Sequence, residues 1–244
     1  GVGENFFNQD WLSDKSGKSI SEKNKYYSEY TFHYWLWKNY LEKIKEEWIA
    51  FCQYRKFWSL NYLEPKAINV NTIENLVLKE IPEEFEEYDA ILTPPQYVNQ
   101  WEPTKFIKKG FKIIIKKPHL FFNKNKRNIN FHFDLMHGEN NLSKAIDLLD
   151  DENKNDFRKF VNTKVSFNTQ NMVICKSKEK LKKYYEDLFP WLEKCEELFG
   201  FKNLKGYDFT RMYGFLAERF MSYWFQKNTK YTTMPVIFFD INKK

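Results

Sequence analysis

The chain has 244 residues, 42% hydrophobic and 19% aromatic, with 24 Phe, 15 Tyr and 8 Trp against only 8 Gly. That length carries one sizeable domain with a real core, and its 3 scattered cysteines, without a Cys-x-x-Cys pair, argue against a disulfide scaffold or a zinc site and fit a reducing cytoplasm. The net charge of +6 comes without a continuous basic block, so no clustered face favours nucleic acid, and no run approaches the ~18 apolar residues of a membrane span.

In chain order, residues 1–17 are irregular and polar. Ser21, in the run SEKN, supplies an N-cap for a helix expected over 25–45, and Tyr26, Tyr27, Tyr30, Tyr34, Trp37 and Tyr40 fall near three- and four-residue spacing on its buried face. Residues 48–52 (WIAFC) read as a short buried strand that ends in Gln53-Tyr54-Arg55-Lys56. Loop, helix, strand and a basic cluster at the strand's carboxyl end is how α/β proteins build an anionic-ligand site. Residues 71–80 show no clear period. Residues 88–93 (YDAILT) form a second strand, which Pro94-Pro95 ends. The basic stretch 105–117 alternates with Phe and Ile and reads as an edge strand whose lysines face water, while 123–130 reads as a flexible Asn- and Lys-rich loop.

Further along, 142–161 predicts one or two amphipathic helices, 171–175 (NMVIC) a strand, and 177–198 a long helix kinked or divided at Pro190. A loop at 206–211, a helix at 213–227 and a closing strand at 234–239 (MPVIFF) complete the pattern. Short buried strands between helices indicate an α/β fold with a mostly parallel or mixed sheet flanked by helices and a helical C-terminal portion. A Phe-rich core accounts for most of the aromatic content, while the Trp and Tyr near 21–24 remain candidates for stacking on a ring.

The words ISEKN, an aromatic helix ending in WKN, a strand ending in a Tyr-Arg-basic cluster, YDAIL, His137 before a helix, NMVICKSKEKL, GFLAERF and PVIFF follow one another in this chain. In that order they resemble a bacterial family of capsular and exopolysaccharide glycosyltransferases long catalogued as a domain of unknown function. The resemblance covers nearly all of residues 13–239. It implies a single GT-A-like domain over 1–244 and an enzyme that takes a sugar, a hexofuranose among the candidates, from a UDP-linked donor to a surface polysaccharide. A cytoplasmic location, with any membrane contact peripheral, goes with it. Three departures stand out: the family's first strand is either missing or divergent at the start of this sequence, Lys18 stands where an acidic residue is usual, and Gln53 where a His is. They leave a second reading open, a non-catalytic carbohydrate-binding or scaffold domain derived from such an enzyme.

A glycosyltransferase must hold a diphosphate, stabilise it as it leaves and deprotonate a hydroxyl. No Asp-x-Asp pair occurs, so a Mg or Mn ion stays open as a cofactor without that signature. Arg55 and Lys56 are expected to supply the charge, beside Gln53 and Tyr54, or else to form a solvated strand end. Ser21, Lys23 and Asn24 sit where helix N–H groups would meet a phosphate, with ordinary capping as the alternative. Asp89 could reach a ribose or cap a turn. His132, Asp134 and His137 fit no zinc spacing, and the resemblance places His137 in a loop over the sugar. Glu218 is the expected general base, inside an apolar helix where burial would raise its pKa; a structural ion pair with Arg219 or Arg211 is the alternative.

Overall fold

The computed structural model describes residues 11–62, 68–100 and 123–240; the expected strand at 105–117 lies outside them. At its centre is a four-stranded mixed sheet of order β1-β6-β3-β7. Strand β1 (Ile49–Ala50) runs antiparallel to β6 (Val173–Cys175), β6 antiparallel to β3 (Ala90–Leu92), and β3 parallel to β7 (Tyr231–Thr233). Every residue of β3 and β6 is buried, as their unbroken apolar runs require of a sheet covered on both faces. Alternation divides them. Ala90, Leu92, Val173 and Cys175 enter the main core, whereas Ile91 and Ile174 join Trp58, Met172 and Met234 in a smaller cluster.

Two short pairs flank this sheet. Strand β2 (Lys56–Trp58) pairs antiparallel with β8 (Val236–Phe238), and β4 (Pro95–Tyr97) with β5 (Ser166–Asn168). Pro94-Pro95 therefore ends one strand and opens another, with the ring at the first residue of a short exposed strand, where no ladder N–H is lost. The expected strand at 234–239 holds β8, and β7 is a further strand that precedes it across Met234-Pro235.

The helix expected over 25–45 is broken. A 3₁₀ turn (Ser21–Lys23) leads into α1 (Asn24–Tyr27), and α2 (Tyr30–Asn39) follows after Ser28, whose φ is +56°. The Asn24 side chain holds the break by donating to the Ser28 carbonyl at 2.8 Å and to Thr31 Oγ1 at 3.1 Å. Aromatic spacing could not show this, because local side chain–backbone bonds decide where a helix yields. A single turn, α3 (Ile73–Leu76), comes next.

Where a loop was expected at 123–130, a 3₁₀ turn (Lys124–Lys126) leads into α4 (Ile129–His137), capped by Asn128, whose side chain accepts from Phe131 N at 2.9 Å. His137 is thus the last residue of a helix and not part of a loop. Helices α5 (Asn141–Asp147) and α6 (Asp151–Thr163) pack against α4, with Asp150 capping α6.

Helix α7 (Lys178–Phe199) starts at the Ser177 cap and continues through Pro190 undivided. Residues 207–210 form the short helix α8 (Tyr207–Thr210) where a loop was expected, and α9 (Met212–Asn228) is the buried axis of the domain. It packs on α7, α1, α6 and β5. Gly214 faces α1, where a β-carbon would lie in ordinary contact with the Tyr27 carbonyl oxygen at 3.4 Å. Most aromatics fill this core: Phe157 packs edge-on against Phe220 at 5.5 Å, and Tyr184 lies 5.1 Å from Phe225. Buried indoles and phenols keep partners, Trp224 Nε1 donating to Asp187 at 2.6 Å and Trp191 Nε1 to the Ala145 carbonyl at 2.7 Å. Among the described residues no helix is long and apolar enough to cross a membrane.

Candidate functional site

The end of β1, the break before α2, the β5–β6 turn, α4 and the first turns of α9 surround a cleft of about 1100 Å³. The chain leaves β1 through a tight turn closed by an isolated bridge between Gln53 and Lys56. Five described non-glycine residues have positive φ, and Ser28, Arg55, Gln170 and Asn171 among them line this cleft. Such conformations persist where the surroundings impose them, and they gather at functional sites.

One wall is a chain of polar groups. Lys56 Nζ donates to Gln53 Oε1 at 3.0 Å, the Gln53 amide donates to Glu29 Oε1, and Asn171 Nδ2 donates to the same oxygen at 2.7 Å. Tyr30 OH donates to Asn171 Oδ1 at 3.1 Å and meets Tyr184 OH at 3.2 Å. Desolvation lowers the Lys56 pKa, while the nearby carboxylates Glu218 and Glu29 work the other way. His33, one helical turn on, stacks on Phe51 at 4.2 Å and bonds Tyr185 OH at 2.8 Å. Burial holds its pKa down to about 4, so the ring is neutral at physiological pH.

Beneath this wall lies a buried ion pair. Glu218 Oε2 accepts from Arg219 Nη1 at 2.7 Å and its Oε1 from the Gln170 backbone N–H at 2.6 Å. Burial raises the Glu218 pKa, and Arg219 and the Gln170 N–H pull against that rise. The Arg219 guanidinium is enclosed by the rings of Phe167 at 4.6 Å, Phe133 at 5.4 Å and Phe215 at 5.6 Å. Its Nη2 donates to His132 Nδ1 at 3.4 Å. The ion pair expected as the alternative role of Glu218 is therefore present, with Arg219 as partner.

At the other end of the cleft, Arg211 Nη1 donates to Ser28 Oγ at 3.1 Å, with its guanidinium 5.1 Å from the Tyr207 ring. His137 donates from Nδ1 to the Asp208 carbonyl at 2.8 Å and stacks on Phe215 at 4.1 Å. That bond fixes the tautomer. Tyr54, Tyr97, Tyr207 and Phe238 are exposed along the lining.

The structure brings together Asn24, Gln53, Tyr54, Arg55, Lys56, His137 and Glu218 of the expected residues. It places three elsewhere. Lys23 pairs with Glu196 at 2.8 Å, and Ser21 belongs to the 3₁₀ turn outside the cleft lining. Asp89 lies in a separate hollow, accepting from the Lys230 backbone N–H at 2.9 Å and pairing with Lys180 at 3.1 Å; the Lys230 bond leads the lowering of its pKa. Arg55 reaches the cleft but is engaged: Nη1 pairs with Asp240 at 2.7 Å and the guanidinium lies over Tyr54 at 4.7 Å and Phe238 at 5.7 Å. It holds the turn more than it presents charge.

Among the described residues, Lys56 and Arg211 line the hollow as further cations beside the ion-paired Arg55 and Arg219. Among the described residues no group of three or more His, Cys, Asp or Glu gathers to hold a metal ion; Asp134 accepts from the Asn140 backbone N–H at 2.9 Å. Sequence reasoning missed Glu29, Gln170 and Asn171 as cleft residues. Only the break at Ser28 and the positive φ of the β5–β6 turn turn them inward.

The model of a family described as a domain of unknown function (DUF4422) matches residues 1–229. Among solved structures, the apo structure of the bifunctional glycosyltransferase WbbM is similar, with a TM-score of 0.63 at 19% sequence identity. The likeness covers 93% of this chain and 39% of that one, so this chain spans well under half of that protein's length. At that identity the likeness shows the fold. No curated protein matches.

Proposed function

We propose that this chain, which belongs to the DUF4422 family described as a domain of unknown function, is a glycosyltransferase that moves a sugar from a nucleoside diphosphate to a glycan hydroxyl. One observation carries the reading: Lys56, Arg211, Glu29 and Glu218 share a single cleft of about 1100 Å³, roomy for a nucleotide sugar and an acceptor ring. The cations compensate the charge that develops on the diphosphate as it leaves. A carboxylate of the same cleft takes the acceptor proton. The exposed rings of Tyr54, Tyr97 and Tyr207 offer faces for stacking sugars or a base. The similarity to a bifunctional glycosyltransferase supports this class of reaction.

The finer terms belong to the proposal too: a UDP-linked donor, a hexofuranose among the candidate sugars, a surface polysaccharide as acceptor and action in the cytoplasm. The purified protein is expected to release uridine diphosphate from at least one member of a panel of UDP-sugars, faster when an oligosaccharide acceptor is added. A protein that turns over none of them and shows no affinity for uridine diphosphate is not this enzyme.

A further inference from the structure

A proton acceptor for the incoming hydroxyl needs a fixed position and a lone pair that faces the substrate. Glu29 and Glu218 both line the cleft, and their surroundings differ in kind. Each Glu218 oxygen already takes a donor, one from Arg219 and one from the Gln170 backbone. Protonating Glu218 would strip a guanidinium buried among three phenylalanines of its counter-ion, a costly event.

Glu29 is held without being neutralised. Its Oε1 accepts two neutral amide N–H bonds, from Gln53 and Asn171. Each amide has its own carbonyl fixed by a donor, Lys56 for Gln53 and Tyr30 for Asn171. For Gln53 that settles which end of the amide points at the carboxylate, because an ammonium only donates. Oε2 accepts no bond among the described residues, and Glu29 is half-buried at the cleft wall. Glu218 enters indirectly, because its bond to the Gln170 N–H anchors the positive-φ turn that presents Asn171.

We propose that Glu29 is the proton acceptor of this cleft and that Glu218 positions the turn that orients it. The inference rests on the glycosyl-transfer reading. In the step, the acceptor oxygen bonds to the anomeric carbon and its proton passes to Glu29 Oε2. The bond from that carbon to the diphosphate breaks, and its electron pair leaves on the diphosphate.

Two variants test this alongside the wild type. Glu29→Gln keeps a carbonyl oxygen for the amide donors and is expected to lower kcat by ~10²–10⁴-fold with the uridine diphosphate Kd held within about threefold. Glu29→Ala is expected to regain at least about tenfold turnover in sodium azide, which attacks with no proton to remove and yields a glycosyl azide. A wild type that transfers sugar beside an equally active Glu29→Gln overturns this inference and leaves the functional reading standing. Lost activity accompanied by lost nucleotide affinity and no azide product makes Glu29 structural, which also overturns it. A wild type that neither binds uridine diphosphate nor consumes any UDP-sugar overturns the functional reading, and the inference falls with it.

Discussion

Replacing Arg219 with Met is expected to destabilise the protein by about 3–5 kcal/mol, read as a shift in the urea midpoint at constant slope. The cause is the charge left behind. Glu218 and Arg219 side chains are 13% and 3% exposed, and without the guanidinium the carboxylate is buried with only the Gln170 N–H for support. Replacing both partners by apolar residues, Glu218→Leu with Arg219→Met, is expected to recover much of that loss, because the desolvation cost disappears along with the attraction. A single Arg219→Met change costing under about 1 kcal/mol would place the pair with the surface ion pairs and remove its role in holding the β5–β6 turn.

The second large effect concerns the nucleotide. Lys56→Ala and Arg211→Ala are each expected to weaken uridine diphosphate binding by ~10–100-fold, the value of a charge-assisted hydrogen bond or two lost to a phosphate. Arg55→Ala is expected to behave differently. Its guanidinium is already bound to Asp240 and packed between Tyr54 and Phe238, so its loss loosens the turn and lowers stability with a smaller change in affinity. Calorimetric titration of the three variants separates these cases. Equal losses for all three would return Arg55 to the phosphate; an unaffected Arg211→Ala would take that residue out of the site.

Much of the fold was legible because burial writes itself into short apolar runs. The apolar triplets AIL of YDAIL and VIC of NMVIC became the fully buried strands β3 and β6. Ser177 and the amphipathic stretch after it marked α7 to within a residue or two. What escaped was decided by backbone conformations that carry no periodic signal. The positive φ at Ser28 cut one expected helix into two, and those at Gln170 and Asn171 shaped a turn that apolar patterning passes over.

The site followed the same division. The cluster from Gln53 to Lys56 was readable from its place after a buried strand, and Asn24 and Glu218 do share its cleft. Glu29 was hidden because inside an uninterrupted aromatic helix it reads as a solvated residue. Asp89 and Lys23 were drawn to the site by position near a strand end and a helix start. The structure instead gives each a local partner, Lys180 and Glu196. Sequence position marks where charge can be placed, and partners decide whether it is available.

Cys52 offers the most direct test of the central claim, that this hollow receives a nucleoside diphosphate. It is exposed and lines the cleft, while Cys175 and Cys195 are buried. Desolvation raises its thiol pKa, so alkylation by iodoacetamide is best followed by intact mass at mildly alkaline pH. Millimolar uridine diphosphate is expected to slow modification of Cys52 severalfold, with uridine alone having little effect. A rate unchanged at saturating uridine diphosphate would mean that the ligand does not occupy this cleft.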